Sequence, residues 1–163
     1  MGMIVVGISD LKIASPPDTL ITYALGSCVG ICLLDPVTHA AGLSHIMLPT
    51  SQISPNDPNI YKFADTAIPY LVRQLEARGA SRSRIKAKIA GGAQMFDAPA
   101  NSAKDSIWQI GQRNVAAVTE ILHRLSIPIL AQDVLKNYGR TISFDPATGI
   151  VSVRALNKGS YDL

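Results

Sequence analysis

The stretch LGSCVGICLLDPVTHAAGLSH, residues 25–45, predicts a β-hairpin and decides how the chain begins to fold. Two short apolar runs flank Asp35-Pro36-Val37-Thr38, where aspartate at the first position and proline at the second favour a tight turn. If that turn closes symmetrically, Cys28 lies directly across the two strands from His45. Direct cross-strand partners hold their Cβ atoms about 4.5–5.5 Å apart, so the sulfur and the imidazole would touch.

A cysteine beside a histidine is a pattern that supports nucleophilic catalysis. The imidazole can take the thiol proton and leave a thiolate–imidazolium pair, with Cys28 as nucleophile and His45 as general base. Gly26 and Ser27 let a substrate carbonyl approach backbone N–H groups that stabilise an oxyanion. Thr22, the polar residue of an otherwise apolar strand, can hold the imidazole in orientation by a hydrogen bond from a neighbouring strand.

The sequence by itself also allows purely structural roles for Cys28 and His45. Free cysteine is among the most buried residue types, so Cys28 can be a small core residue, and Cys32 between Ile31 and Leu33 is expected in the core. His45 by itself can be a core or edge histidine. A one-residue slip in the hairpin would turn one of the two partners to the opposite face of the sheet.

Composition places the chain among globular proteins. Its 163 residues contain 47% hydrophobic and 17% charged residues, which predicts one domain, residues 1–163, with a sizeable core. The N-terminal MGMIVVGISDLKI has no basic region, and no apolar run approaches the ~18 residues of a membrane span, so we expect a cytoplasmic protein without membrane insertion. Two reduced cysteines separated by three residues, Cys-x-x-x-Cys, are a poor metal signature, and we expect no metal and no cofactor.

The positive charge of the chain is modest and scattered. The formal net charge is +3, and one small basic cluster comprises Arg78, Arg82, Arg84, Lys86 and Lys88. No aromatic residues are interleaved with it, so a solvated face is expected rather than a nucleic-acid interface.

Strand patterns at both ends of the chain surround two helical patterns. Apolar residues recur at helical spacing over residues 65–78, with Asp65 as the predicted N-cap, and over residues 112–125. Residues 85–89 alternate as a half-buried strand, and residues 49–58 predict a surface loop long enough to lie over a site. This order favours an α+β fold with helices packed on an antiparallel or mixed sheet.

Six segments in the same order resemble one known family, the CheD chemoreceptor glutamine deamidases of bacterial chemotaxis. They cover nearly the whole chain: Thr22 with LGSCVGICLLDP, then GLSHIMLP, YKFADTAI, KAKIAGGAQMF, IGQRNVAAV and GRTISFDPATGIVSV. The segment Leu135–Tyr138 departs from the pattern, because relatives usually show more glycine there.

The resemblance implies a cysteine hydrolase with a Cys-His-Thr triad, whose positions are Cys28, His45 and Thr22 of this sequence. It also implies two packed β-sheets flanked by helices, similar to bacterial toxin deamidases. The implied substrates are glutamine side chains on the cytoplasmic helices of methyl-accepting chemotaxis receptors, converted to glutamate with release of ammonia. The implied further partner is the CheC phosphatase.

Two of the matching segments have both a functional and a structural interpretation. The segment after the half-buried strand can form a wall for a partner or end the strand in a tight turn; its residues are Gly91, Gly92, Met95 and Phe96. Arg113 and Asn114 are expected to cap and anchor the second helix rather than to touch substrate.

Two other functions fit the same residues. A non-catalytic adaptor would bind the receptors and the phosphatase, and a thiol peptidase or transglutaminase-like enzyme would share the nucleophile and the base. Assays of the product distinguish them from a deamidase.

Overall fold

The computed structural model describes residues 2–95 and 109–163. Within these ranges the chain forms ten strands, two α-helices and one short 3₁₀ turn. They are β1 (Met3–Val5), β2 (Asp10–Ala14), β3 (Thr19–Leu25), β4 (Val29–Leu34), β5 (Ala41–Ile46), the 3₁₀ turn (Ser51–Ile53), α1 (Ala64–Ala77), β6 (Lys86–Gly91), α2 (Ile110–Arg124), β7 (Ile129–Val134), β8 (Arg140–Phe144), β9 (Val151–Ala155) and β10 (Gly159–Asp162).

The strands form two five-stranded sheets. The central sheet has the order β2-β5-β4-β6-β7, and the outer sheet has the order β1-β3-β8-β9-β10. Neighbouring strands are antiparallel except for the parallel pairs β6–β7 and β1–β3. The expected α+β fold, with two mixed or antiparallel sheets and flanking helices, is therefore confirmed.

Two apolar layers hold together the helices, the central sheet and the outer sheet. One layer packs the helices on the central sheet and includes Ile31, Leu71 and Val118. The other fills the space between the sheets and includes Leu25, Ile142 and further residues of both sheets. Strand β4 contributes to both layers because it lies in the middle of the central sheet, which explains its continuous apolar sequence.

The hairpin β4–β5 forms as predicted, but its register differs by two residues. The connecting loop is longer than a four-residue turn: Asp35 N–H donates to the Ala40 carbonyl at 3.0 Å, and His39 has a φ of +61°. Gly30, not Cys28, therefore lies directly across from His45. A shift of two residues preserves the face of each side chain, so the consequence for the site is a diagonal rather than a direct pairing.

Several details of the helices and strands differ from the sequence-based expectation. Helix α1 begins at Ala64, and its N-cap is Phe63, two residues before the predicted N-cap Asp65. Asp65 instead accepts hydrogen bonds from the Ser51 N–H at 2.9 Å and the Thr50 hydroxyl at 3.0 Å, which fixes the 49–58 loop to α1. Strands β2 and β10 were not predicted. No helix of residues 2–95 and 109–163 is both long and apolar enough to cross a membrane.

Candidate active site

Thr22 and His45 meet between the two sheets. Thr22 lies on β3 of the outer sheet and His45 on β5 of the central sheet, and both side chains are buried. The Thr22 Oγ1 atom lies 2.6 Å from His45 Nδ1 and 2.7 Å from the carbonyl oxygen of Val6. The predicted contact is confirmed, although it joins opposite sheets rather than neighbouring strands.

The Val6 carbonyl determines which tautomer the neutral imidazole of His45 adopts. A carbonyl oxygen only accepts, so the single hydroxyl proton of Thr22 is donated to Val6. The Thr22 oxygen must then accept the proton of His45 Nδ1, which leaves the lone pair of neutral imidazole on Nε2. Among the described residues no group hydrogen-bonds to Nε2. The ring of His45 is thus oriented by Thr22, and its accepting nitrogen has no partner in the described part of the chain.

Cys28 lies beside β5, the strand that carries His45, and on the same side of the central sheet as His45. It belongs to the turn 26–28 that joins β3 to β4, one residue before the β4–β5 ladder begins at Val29–Ile46. Its side chain packs against the layer between the sheets, the side on which Gly30 and His45 also lie. Cys28 and His45 are diagonal neighbours, and diagonal pairs separated by about 7–8 Å remain within reach of aromatic side chains.

Burial disfavours the charged forms of both Cys28 and His45. Partial burial raises the pKa of the Cys28 thiol, and the backbone N–H of Cys28 opposes this rise only in part. Burial lowers the pKa of His45 to about 4, while the charge of Asp10, its cross-strand partner on β2, acts in the opposite direction. Burial disfavours both charges of the expected thiolate–imidazolium pair, which stays a prediction.

The carbonyl groups of the 26–28 turn are held by the segment that follows β6. Gly92 N–H donates to the Cys28 carbonyl at 2.8 Å, and Ala93 N–H donates to the Gly26 carbonyl at 2.8 Å. A Cβ atom at Gly91 would lie 2.2 Å from the Cys28 carbonyl oxygen, so only glycine permits this close approach. Within residues 2–95 and 109–163, no carbonyl accepts the N–H of Ser27.

The burial of Gly91 and Gly92 favours their structural interpretation, and their role at a partner surface stays a prediction. They form the tight-turn support of the Cys28 turn. Met95 is 42% exposed and stays a predicted contact residue. Phe96 lies outside the described residues.

The segment that departs from the family pattern supports the same region. Leu135 and Lys136 adopt φ values of +67° and +66°, the left-handed conformation that glycine adopts most easily. Leu135 N–H donates to the Gly91 carbonyl at 2.9 Å, and Gln94 N–H donates to the Lys136 carbonyl at 2.9 Å. The backbone therefore adopts a glycine-like path here without glycine.

Two contributions to the site were not predicted from the sequence, and a third was predicted only in part. Val6 acts through its backbone carbonyl, which no side-chain pattern indicates. Asp10 is a directly paired carboxylate that opposes the loss of positive charge on His45. Asn114, predicted to cap and anchor α2, is buried in its second turn and donates to the carbonyls of Ser27 and Met47, so the anchoring is confirmed and the capping is wrong.

Much of the basic cluster is occupied by contacts within the chain. Arg84 forms an ion pair with Asp35 at 2.8 Å, and Arg82 pairs with Glu76 at 3.1 Å. Lys88 Nζ donates to two backbone carbonyls. The absence of nucleic-acid binding stays a prediction, and these contacts reduce the positive charge that the cluster offers to phosphates.

The buried imidazole predicts a loss of stability in mild acid. Between pH 6.5 and about 4 the unfolded chain binds a proton at this histidine that the folded chain does not, so the free energy of unfolding falls as the pH falls. Between pH 7 and pH 4.5 we expect wild type to lose about 2 kcal/mol more than H45Q. Urea unfolding at both pH values measures the difference, and equal losses in the two proteins would contradict the buried neutral imidazole.

Comparisons with known proteins identify the family. The family model for CheD chemotactic sensory transduction matches residues 47–155. The chain is 50% identical over 156 residues to a probable chemoreceptor glutamine deamidase CheD of Lachnoclostridium phytofermentans, covering 96% of this chain and 95% of that protein. It is 48% identical over 159 residues to the chemoreceptor glutamine deamidase CheD of Halalkalibacterium halodurans, covering 97% and 96%. With this similarity along nearly the full length of its relatives, the chain belongs to the CheD family.

Proposed function

We propose that the protein is a chemoreceptor glutamine deamidase, a protein-glutamine glutaminase of the cysteine amidohydrolase type, in which Cys28, His45 and Thr22 perform the reaction. The observation that carries this proposal is the Thr22–His45 hydrogen bond of 2.6 Å, which directs the free Nε2 lone pair of a neutral imidazole to the side of the sheet where Cys28 lies. The names of the relatives support the choice of reaction and substrate.

The first step joins proton transfer to nucleophilic attack. Because burial disfavours the charged forms of both thiol and imidazole, His45 Nε2 takes the Cys28 proton as the sulfur attacks the glutamine carboxamide carbon. A C–S bond forms, and the carbonyl electron pair moves to oxygen. The imidazolium now lies beside new negative charge, which stabilises a cation that the buried site disfavours when it is alone.

The second step releases ammonia and the third restores the enzyme. The His45 imidazolium donates its Nε2 proton to the nitrogen of the tetrahedral intermediate, the C–N bond breaks, and a thioester on Cys28 remains. Water then attacks the thioester while Nε2 accepts its proton. The C–S bond breaks, the proton returns to sulfur, and the product carries glutamate.

The backbone of the 26–28 turn is the proposed oxyanion site. The carbonyl groups of Gly26 and Ser27 are both engaged, by Ala93 N–H and by the Asn114 side chain respectively. Their engagement fixes the peptide planes of the turn. A rigid turn whose Ser27 N–H has no carbonyl partner in the described part of the chain is suited to receive developing negative charge without rearrangement.

Thr22 gives the proposal a sensitive test. T22V keeps the shape of the side chain but leaves the Nδ1–H of His45 and the Val6 carbonyl without a hydrogen-bond partner. The loss of a buried hydrogen bond, about 1–3 kcal/mol, predicts a kcat about 10- to 100-fold lower. T22S retains the hydroxyl and is expected to stay within about 3-fold of wild type. Steady-state deamidation rates compare the two, and equal kcat for T22V and T22S would contradict the orienting role.

The proposed substrate and partner surface adjoins the nucleophile turn. A groove of about 750 Å³ is lined by Tyr23, Gly26, Met95 and Leu156 among others, and it flanks the turn without including Cys28 itself. Exposed apolar side chains beside a site are typical of protein-binding surfaces. We place the cytoplasmic helices of methyl-accepting chemotaxis receptors here, and the CheC phosphatase as a further partner, with residues 1–163 as one catalytic domain in the cytoplasm.

The proposal is tested by the mass of a receptor fragment after incubation with purified protein. Wild type is expected to raise the mass of specific glutamine-bearing peptides by about 1 Da and to release ammonia, and C28A is expected to do neither. C32A is the matched control, because Cys32 is the other cysteine and lies in the core, and it should retain activity. Receptor binding without a mass gain would leave only the adaptor, and cleaved peptide bonds or incorporated amines would indicate the other thiol enzymes.

A further inference from the structure

Asn114 connects the two segments that carry the reacting groups. It lies on α2, is 0% exposed, and donates through Nδ2 to the Ser27 carbonyl at 2.9 Å and to the Met47 carbonyl at 3.0 Å. Ser27 immediately precedes Cys28 in the chain, and Met47 lies two residues after His45. One side-chain amide therefore binds both the residue before the proposed nucleophile and the segment after β5, which carries the proposed base.

The position of Asn114 coincides with the end of the backbone ladder. Strands β4 and β5 pair from Leu34–Ala41 to Val29–Ile46, and the pairing stops there. Cys28 and Met47 lie just beyond the last pair, where no ladder hydrogen bond ties the two segments together. The amide of Asn114 supplies the connection at this point, through both of its N–H donors.

The orientation of the amide follows from its surroundings. Both neighbouring groups are carbonyls, which only accept, so the nitrogen must face them and Oδ1 must face away. Oδ1 is buried and has no hydrogen-bond partner among the described residues. Buried polar atoms are seldom left without a partner, so the two bonds made by Nδ2 determine the orientation of this amide at a cost to Oδ1.

We propose that Asn114 is a positioning residue that fixes the Cys28 sulfur relative to His45 Nε2, and this inference rests on the proposed function. It touches neither the substrate nor the reacting atoms. Without its two donors, the turn 26–28 loses its tie to the segment that follows β5. Gly92 and Ala93 still hold the Cys28 and Gly26 carbonyls, but the position of the sulfur relative to the imidazole is no longer fixed from the β5 side. A displacement of about 1 Å between reacting groups lowers rates by about 100-fold.

The test is a series in which the number of donors at position 114 decreases. N114S retains one donor, and N114L has similar size with none. We expect kcat for deamidation to fall about 10-fold in N114S and about 100-fold in N114L, with KM within about 3-fold of wild type. The acidic midpoint of the kcat/KM profile, set by His45, should not move in either variant, whereas T22V should move it. V118A, in the helix–sheet layer of the same helix, is the control for stability and should retain kcat.

All rates are referred to the folded fraction measured by circular dichroism, and N114S alone decides the matter if N114L does not fold. Wild-type kcat in folded N114S and N114L, with C28A inactive, would overturn the positioning role and leave the proposed function intact. A loss of kcat in V118A as large as that in N114L would also overturn it, because general destabilisation would then explain the effect. Full activity in C28A would overturn both proposals.

Discussion

Replacing His45 with glutamine is expected to lower kcat for receptor deamidation by about 10³-fold, within the 10²–10⁴-fold range of general acid–base catalysis. The imidazole is required twice in the proposed reaction: it takes the thiol proton during attack, and it gives a proton to the departing ammonia. A neutral thiol with a raised pKa attacks poorly without that base. Glutamine is polar and comparable in length but cannot exchange protons near neutral pH, so the comparison isolates the chemistry of the ring.

The matched control for this replacement is H39Q. His39 lies in the loop of the same hairpin, and its ring Nδ1 contacts the Pro146 carbonyl at 2.9 Å, away from Thr22 and Cys28. Its replacement should leave kcat unchanged. Single-turnover measurements with a receptor fragment compare the variants, and H45Q activity within about 3-fold of wild type would exclude His45 as the base.

Replacing Gly91 with alanine is expected to damage both stability and activity. The new Cβ would lie 2.2 Å from the Cys28 carbonyl oxygen and 3.2 Å from the Val29 Cα atom, at a φ of +111° that side chains rarely adopt. Strain and collision with backbone together predict a loss of at least about 3 kcal/mol in the free energy of unfolding. In the remaining folded protein, displacement of the Cys28 turn should lower kcat at least about 10-fold.

Gly79 provides the matched control for Gly91. It also has a positive φ, +97°, but a Cβ atom there would meet nothing within 4 Å. G79A should therefore lose only the conformational part, about 1 kcal/mol, and keep its kcat. Urea unfolding and deamidation rates measure both variants. Equal losses in G79A and G91A would show that contact with the Cys28 carbonyl is unimportant.

The hairpin illustrates what the sequence could predict and where the prediction ended. Two short apolar runs and the turn residues between them identified the two strands and the face on which Cys28 and His45 lie. The register was wrong by two residues because the loop extends from Asp35 to Ala40 instead of ending at Thr38. The Asp35 carboxylate accepts from the distant Ser81 N–H at 2.9 Å and pairs with Arg84, contacts that no local pattern reveals.

Of the groups around the His45 imidazole, some could likewise be predicted from local sequence and others could not. Thr22 could be predicted because one polar side chain interrupts an apolar strand, but its partner could not be located on the opposite sheet. The Val6 carbonyl belongs to the backbone, so residue type carries no signal for it. Strand β10 escaped prediction because all its residues are exposed and show no alternating burial.

The covalent step of the proposed reaction can be measured directly by intercepting the thioester with hydroxylamine. Wild type, incubated with a receptor fragment and hydroxylamine, is expected to convert the target glutamines in part to hydroxamates that mass spectrometry locates. C32A should form the same product and C28A none. Deamidation by wild type with no hydroxamate at any hydroxylamine concentration would contradict a thioester on Cys28 and would indicate direct attack by water.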